Sequence, residues 1–317
     1  MSESPISPSQ PLEDSSPKAP FSRRSRQKDQ MACGNRDFAM EAEKVNKSPK
    51  KSSPSESEED SADTNEYEEA ESEFQVADGD GVENSTEAEL TKIPLMRAVV
   101  EAKDPSAKDA DDLTIRRFLR ARDLDIEKAS AMFLKYLKWR RSFVPNGFIA
   151  QSEITNQLAH EKVYMQGVDK IGRPIAVVFG AKHYQDSDGF DEFKRLVTYV
   201  LDKVISRIPP GQEKFVAIAD LEGWRYANSD VRGYLAALSI LQDYYPERLG
   251  KLFIVHAPSI FMTVWKMIYP FIDNKTKKKI TFVEKRKIKS TLMEEIDESQ
   301  IPEIYGGQLP LVPIQDS

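Results

Sequence analysis

The stretch Tyr245-Pro-Glu-Arg-Leu-Gly-Lys-Leu-Phe-Ile-Val-His-Ala-Pro258, continuing as Ser259-Ile-Phe-Met-Thr-Val-Trp-Lys-Met-Ile-Tyr-Pro-Phe271, carries the strongest structural signal in the chain. It places a carboxylate, Glu247, at a turn, and then a short apolar run, Leu252 to His256, which reads as a buried strand. Between Pro258 and Pro270 the only formal charge is Lys266, so the segment predicts a helix apolar on almost every side. Such a helix needs an apolar partner on more than one face, and a lipid is the leading candidate.

Working outward, Phe215-Val-Ala-Ile-Ala219 is a second apolar run of strand length and Ile280 to Val283 a third, while Ser229 to Tyr244 and Phe193 to Ile208 carry helical spacing. Val163 to Gln166 and Pro174 to Phe179 flank the turn Asp169-Lys-Ile-Gly-Arg173 and read as a hairpin-like pair. Strands alternating with helices predict an α/β lobe with a mixed, largely parallel sheet flanked by helices, assigned to residues 151–317. Ahead of it, residues 92–150 read as a helical lobe. Ile115, Phe118 and Leu119 share one stripe, and Asp125 is placed to cap a helix that carries Ala129, Phe133, Leu137 and Arg140 at helical spacing.

Residues 1–91 differ in kind. Ser, Pro, Glu and Asp dominate them, no Lys or Arg lies between Lys51 and Lys92, and Glu56 to Glu89 holds fifteen acidic residues. This composition predicts a disordered acidic tail, because it buries too little apolar surface to offset chain ordering. Ser4, Ser7, Ser16, Ser48 and Ser53 each precede proline, and phosphorylation there would add negative charge. The whole-chain charge of −7 reports this tail, since residues 90–317 carry a net +5.

Several function classes are excluded on pattern. The chain has no Gly-x-Gly-x-x-Gly, no phosphate loop ending Gly-Lys-Ser/Thr and no Gly-x-Ser-x-Gly. Cys33 is the sole thiol and lies in the tail, which removes a cysteine nucleophile from the folded part and suits a reducing cytoplasm. His160, His183 and His256 have no second ligand at metal spacing, so neither a metal nor a cofactor is expected. No base-reading motif accompanies the modest +5, which argues against nucleic acid. The first thirty residues lack an apolar core, so no signal or transit peptide is expected, and no apolar run reaches spanning length. A binding protein, not an enzyme, is the expectation. The cations Lys275, Lys277, Lys278, Lys279, Lys285, Arg286, Lys287 and Lys289 suit a transient anionic membrane surface.

Six segments in one order carry a resemblance. They are Arg117-Phe-Leu-Arg-Ala-Arg-Asp-Leu-Asp-Ile126 with Lys138-Trp-Arg140; Asp169-Lys-Ile-Gly-Arg-Pro174; Asp220-Leu-Glu-Gly223; Tyr245-Pro-Glu-Arg-Leu-Gly-Lys251 with Ala257-Pro258; Pro270-Phe-Ile-Asp273 with Lys279-Ile280; and Ile301-Pro-Glu-Ile-Tyr-Gly-Gly307. From Asp112 to Gly307 the chain resembles the CRAL-TRIO family, and within it the phosphatidylinositol-transfer proteins of the secretory pathway. The resemblance implies that the helical and α/β lobes enclose one phospholipid, phosphatidylinositol above others, and exchange it at membranes. It implies a headgroup site at Arg122, Glu247, Thr276 and Lys279, and a gate helix presenting Phe261, Val264, Trp265, Ile268 and Tyr269. Arg122 and Lys279 would offset phosphate charge, Thr276 would donate a hydrogen bond, and Glu247 would accept from inositol hydroxyls while pairing with Lys279.

Two departures narrow the ligand. A second basic residue often follows the family's Arg; here Asp123 stands there, which predicts weaker phosphate binding. The strand Phe215 to Ala219 has no hydroxyl, which argues against a choline lipid. The alternatives are a lipid-sensing module that presents lipid to a kinase or trafficking partner through the tail, and a carrier of a tocopherol, retinoid or sterol precursor. A cytoplasmic monomer that associates peripherally with membranes is the expectation.

Overall fold

The computed structural model describes residues 86–186 and 188–317, all within one compact unit; Cys33, the Ser-Pro sites and the acidic run up to Glu83 lie outside the described residues. Helix α1 (Glu87–Lys103) begins inside the stretch expected to be tail, so the boundary at residue 91 is corrected. The cause is a capping box: the Glu89 backbone N–H donates to Thr86 Oγ1, and the Thr86 N–H donates to the Glu89 carboxylate. Pro94 lies inside this helix. It sits on the exposed side, where its missing N–H is tolerated, while Ile93, Met96 and Val100 are buried.

Helices α2 (Asp112–Arg120) and α3 (Ile126–Phe143) open on the caps Asp111 and Asp125 and pack against α1 around Phe118 and Phe133, whose rings meet edge to face at 5.0 Å. A short helix, α4 (Thr155–Ala159), leads into the sheet.

Strands β1 (Val163–Val168), β2 (Pro174–Phe179), β3 (Phe215–Asp220), β4 (Leu249–Val255) and β5 (Ile280–Val283) lie side by side in chain order. β1 runs antiparallel to β2, and the other neighbours are parallel. The β1–β2 turn is held by a buried ion pair between Asp169 and Arg173, with Gly172 at φ 82° supplying the left-handed residue. The parallel strands are joined through α5 (Phe190–Ser206), α6 (Val231–Tyr244), and α7 (Ser259–Ile268) with α8 (Asn274–Lys277). Crossovers of one hand between strands in sequential order carry their helices to the same side of a sheet.

The two faces of the sheet are filled differently. On one, Val216, Ile218, Phe253 and Val255 are sealed by the C-terminal segment, through Leu292 of α9 (Ile288–Glu295), Ile296, Ile301 and Tyr305. Val216 and Ile218 are 0% exposed. On the other, the alternating residues Ala217, Ala219, Val178, Leu252 and Phe282 are only half-buried, although β3 is the middle strand. Ala217 lies beside Ala176 and Leu252 in register, which leaves a floor of small side chains under the helices.

The helical lobe is tied to the sheet lobe by Trp139 stacked on Tyr244 at 4.0 Å, Arg140 paired with Asp202, and Arg116 and Arg117 both on Glu213. Burial and the adjacent Asp202 carboxylate push the Tyr245 phenol far above its usual range, so it stays a donor to Asp202.

Candidate functional site

All four residues expected at the headgroup line one cavity of about 340 Å³, at the end of the sheet where β4 begins and β5 is entered. Arg122 comes from the turn after α2, Glu247 from the turn before β4, Thr276 from α8, and Lys279 from the step into β5. Glu247 adopts φ 58°, a conformation that costs a non-glycine residue free energy and turns its side chain toward Lys279. The Lys279 Nζ lies 3.4 Å from Glu247 Oε2, and both side chains are about 15% exposed.

Arg122 donates to the Ala121 carbonyl at 2.8 Å and makes no ion pair among the described residues. Its guanidinium therefore keeps donors for an anion. Thr276 differs from expectation. Its hydroxyl donates to Asp273 Oδ2 at 2.6 Å, and its backbone N–H to Asp273 Oδ1, because Asp273 caps α8. It can serve a phosphate only by releasing that carboxylate.

The cavity also holds residues that the sequence pattern did not single out for it. Lys275 reaches across to Asp123 Oδ1 at 2.8 Å and to the Arg120 carbonyl at 2.6 Å, joining α8 to the α2–α3 turn. The Lys275 ammonium holds the Asp123 carboxyl below the usual carboxylate range. Gln242 accepts from the Asp273 N–H and donates to the Phe271 carbonyl, fixing the chain that leaves the preceding helix. Three cations (Arg122, Lys275, Lys279) thus face four carboxylates (Asp123, Asp243, Glu247, Asp273). The signal for Asp273 was present as Asp-Asn-Lys-Thr, a cap followed by its helix. Nothing local marked Gln242 or Asp243.

Helix α7 is one-sided, which corrects the reading of it as apolar all round. Phe261, Met262, Val264, Trp265 and Ile268 are buried, whereas Ser259, Thr263, Lys266 and Met267 fall on one exposed stripe. The buried face lies over the alanine-floored side of the sheet: Trp265 meets Phe282 edge on at 5.2 Å, and Phe261 meets Trp224 at 5.3 Å. Tyr269, past the end of α7, is half-buried beneath the Lys277 ammonium at 4.3 Å. The Trp265 indole N–H is buried with no hydrogen-bond partner among the described residues.

Other matched segments hold the frame. Asp220 accepts from the Tyr305 hydroxyl at 2.9 Å and pairs with His256 Nδ1 at 3.0 Å, with His256 at φ 52° just before α7. His256 directly follows β4 and is held by this contact.

Comparison with known proteins gives a consistent picture. A family described as the CRAL/TRIO domain matches residues 158–307. A CRAL-TRIO domain-containing protein of Saccharomyces cerevisiae is 31% identical over 228 residues, covering 62% of this chain and 71% of that protein. The Sec14 cytosolic factor of Schizosaccharomyces pombe is 33% identical over 214 residues, covering 62% of this chain and 74% of that protein. Among solved structures, the crystal structure of Sfh5 superposes with a TM-score of 0.51 at 17% identity, covering 66% of this chain and 84% of that one, a likeness of fold.

Proposed function

The chain belongs to the CRAL-TRIO family, and on that premise we propose that it is a lipid-binding and transfer protein whose principal ligand is phosphatidylinositol. The observation that carries the reading is the convergence of Arg122, Glu247, Thr276 and Lys279 on one cavity, from four places in the chain. A space of about 340 Å³ suits a headgroup and is too small for a whole diacyl lipid. The acyl chains then need a second space. The half-buried apolar floor of Ala217, Ala219, Val178, Leu252 and Phe282, beneath α5, α6 and α7, supplies the surface for it.

Exchange follows from solubility. Carrying two acyl chains bare through water would expose dozens of methylenes at about 0.8 kcal/mol each, so the ligand must stay covered between membranes. Helix α7, followed by the exposed cations Lys275, Lys278, Lys285 and Arg286, is the element that docks at an anionic surface and swings outward there. Phe261, Val264, Trp265 and Ile268 leave the sheet in that step and meet lipid instead. Among the described residues no helix is long and apolar enough to cross a membrane, so contact with the bilayer is peripheral in this reading. A cytoplasmic monomer fits it.

Glu247→Ala and Lys279→Ala are expected to abolish phosphatidylinositol transfer between vesicles while the fold survives, as read by circular dichroism. Wild-type transfer by both variants removes the headgroup assignment. Retained loading with a tocopherol, a retinoid or a sterol precursor in place of phospholipid redirects the same fold to another cargo.

A further inference from the structure

We propose that the acidic segment 56–83 of this chain docks on the basic face beside α7 and competes there with the membrane; the competition rests on the transfer reading, whereas the docking does not. The face is built from α8 and the two ends of the edge strand β5. Lys275, Lys278, Lys285 and Arg286 are exposed, and the last three make no ion pair among the described residues. The segment carries thirteen Asp and Glu residues and no Lys or Arg. Charge complementarity therefore runs in one direction: a concentrated anion in the chain, and on its fold a cation cluster in which Lys275 alone is paired, with Asp123.

The point of attachment brings the two together. Glu89, in the first turn of α1, is buried and pairs with Arg120 at 2.6 Å. The Arg120 carbonyl in turn accepts from Lys275 Nζ at 2.6 Å. The acidic segment thus joins the fold at Thr86, and a chain of three contacts, Thr86 to Glu89, Glu89 to Arg120 and the Arg120 carbonyl to Lys275, leads from there to the edge of the basic face. Attachment in the same chain so close to the face gives an effective concentration of the order of millimolar, well above any anionic protein met in trans. The Debye length of about 8 Å at physiological salt confines such attraction to short range, and the attachment keeps the segment within reach. Docked there, thirteen carboxylates occupy the cations that an anionic bilayer would otherwise engage. Free protein is kept off membranes until surface charge outcompetes its own segment.

The test uses the full chain and zero-length carbodiimide cross-linking at low protein concentration, followed by peptide mass spectrometry. Cross-links from carboxylates in 56–83 to Lys275, Lys278 or Lys285, in the monomer band and lost at about 0.5 M salt, are the expected result. No such cross-link, or cross-links only in a band of doubled mass, overturns the proposal. Competition is read by sedimentation with phosphatidylcholine vesicles containing phosphatidylserine. A chain with all thirteen acids changed to Asn or Gln should bind these vesicles about tenfold more than wild type at physiological salt. Lys278→Gln, Lys285→Gln and Arg286→Gln together should erase that gain. Equal vesicle binding by wild type and the neutralised chain overturns the competition. Cross-links without vesicle binding by either form support the docking and overturn the membrane-exchange reading instead.

Discussion

Replacing Lys279 by Met asks whether the Glu247–Lys279 contact exists for the fold or for a ligand. The Coulomb energy of two charges 3.4 Å apart lies between about 1 kcal/mol in water and about 5 kcal/mol at an effective dielectric of 20. Both side chains are about 15% exposed, and the desolvation they bear cancels most of this, so the net worth of the pair is near zero. Lys279→Met alone should nevertheless cost about 2 kcal/mol, because Glu247 is left partly buried and uncompensated. Adding Glu247→Gln removes that orphaned charge and should return the stability to within about 0.5 kcal/mol of wild type. Lipid affinity should not return. A charge-assisted contact to a phosphate contributes about 1.5–3 kcal/mol, so both Lys279→Met and the double variant should bind phosphatidylinositol about 10- to 100-fold more weakly. Urea denaturation reads the first quantity, and transfer of a fluorescent phosphatidylinositol from quenched donor vesicles reads the second. A double variant that recovers stability and transfer together would refute the argument, since the pair would then be structural alone.

Three further outcomes follow from the same geometry. Around the cavity Lys275, Lys279 and Asp243 are already paired, with Asp123, Glu247 and Lys135 in turn, so Arg122 is the one lining cation without an ion pair among the described residues and a headgroup bearing an additional phosphate finds no second free cation; phosphatidylinositol should out-compete its 4-phosphate at least about tenfold in vesicle loading. Equal loading of both removes the electrostatic argument. Lys162 is buried beside Gln157 and His183, and burial pulls its ammonium down to about 8. The folded state therefore holds fewer protons than the unfolded one between about pH 8 and 10.5. Stability relative to Lys162→Met should rise by about 2 kcal/mol from pH 7.5 to 9.5, and a flat or falling difference in urea denaturation contradicts it. Trp265→Phe removes the unpartnered indole N–H, whose burial costs about 1–3 kcal/mol, and opens a small void costing about 1 kcal/mol. Its melting temperature should match or exceed wild type, and a fall of more than about 5 °C would mean that the N–H is satisfied in solution.

Much of this was legible in the sequence because it is local. The cap at Asp125, the apolar runs at Phe215 and Leu252, and the turn Asp169 to Arg173 each declare themselves within a few residues. Boundaries were less legible. β4 begins at Leu249, not Leu252, since Leu249 and Lys251 pair with Phe215 and Val216 of β3 across a bulge at Gly250, and neither a lysine nor a glycine carries strand signal. Helix α9 was not read at all, because Lys287 to Glu295 is polar on its outer face and its anchors, Ile288 and Leu292, are too few to show a period. The apolar character of α7 concealed its one exposed stripe, since Met267 counts as apolar in a pattern yet is 38% exposed in the fold. The candidate site shows the same limit. Arg122, Glu247, Thr276 and Lys279 came from a motif resemblance, but the Lys275–Asp123 bridge joins residues 152 positions apart, and no window of sequence contains it. The engagement of the Thr276 hydroxyl by Asp273 was equally hidden, because a cap and a ligand donor look the same in the pattern.

The identity of any lipid that purifies with the chain bears most directly on the whole account. Native mass spectrometry of the full chain, followed by organic extraction and lipid analysis of the same sample, reads it in one experiment. The account predicts one bound phospholipid per chain, dominated by phosphatidylinositol and lost in Glu247→Ala. A chain purified at its bare polypeptide mass, and still bare after incubation with phosphatidylinositol vesicles, would contradict it.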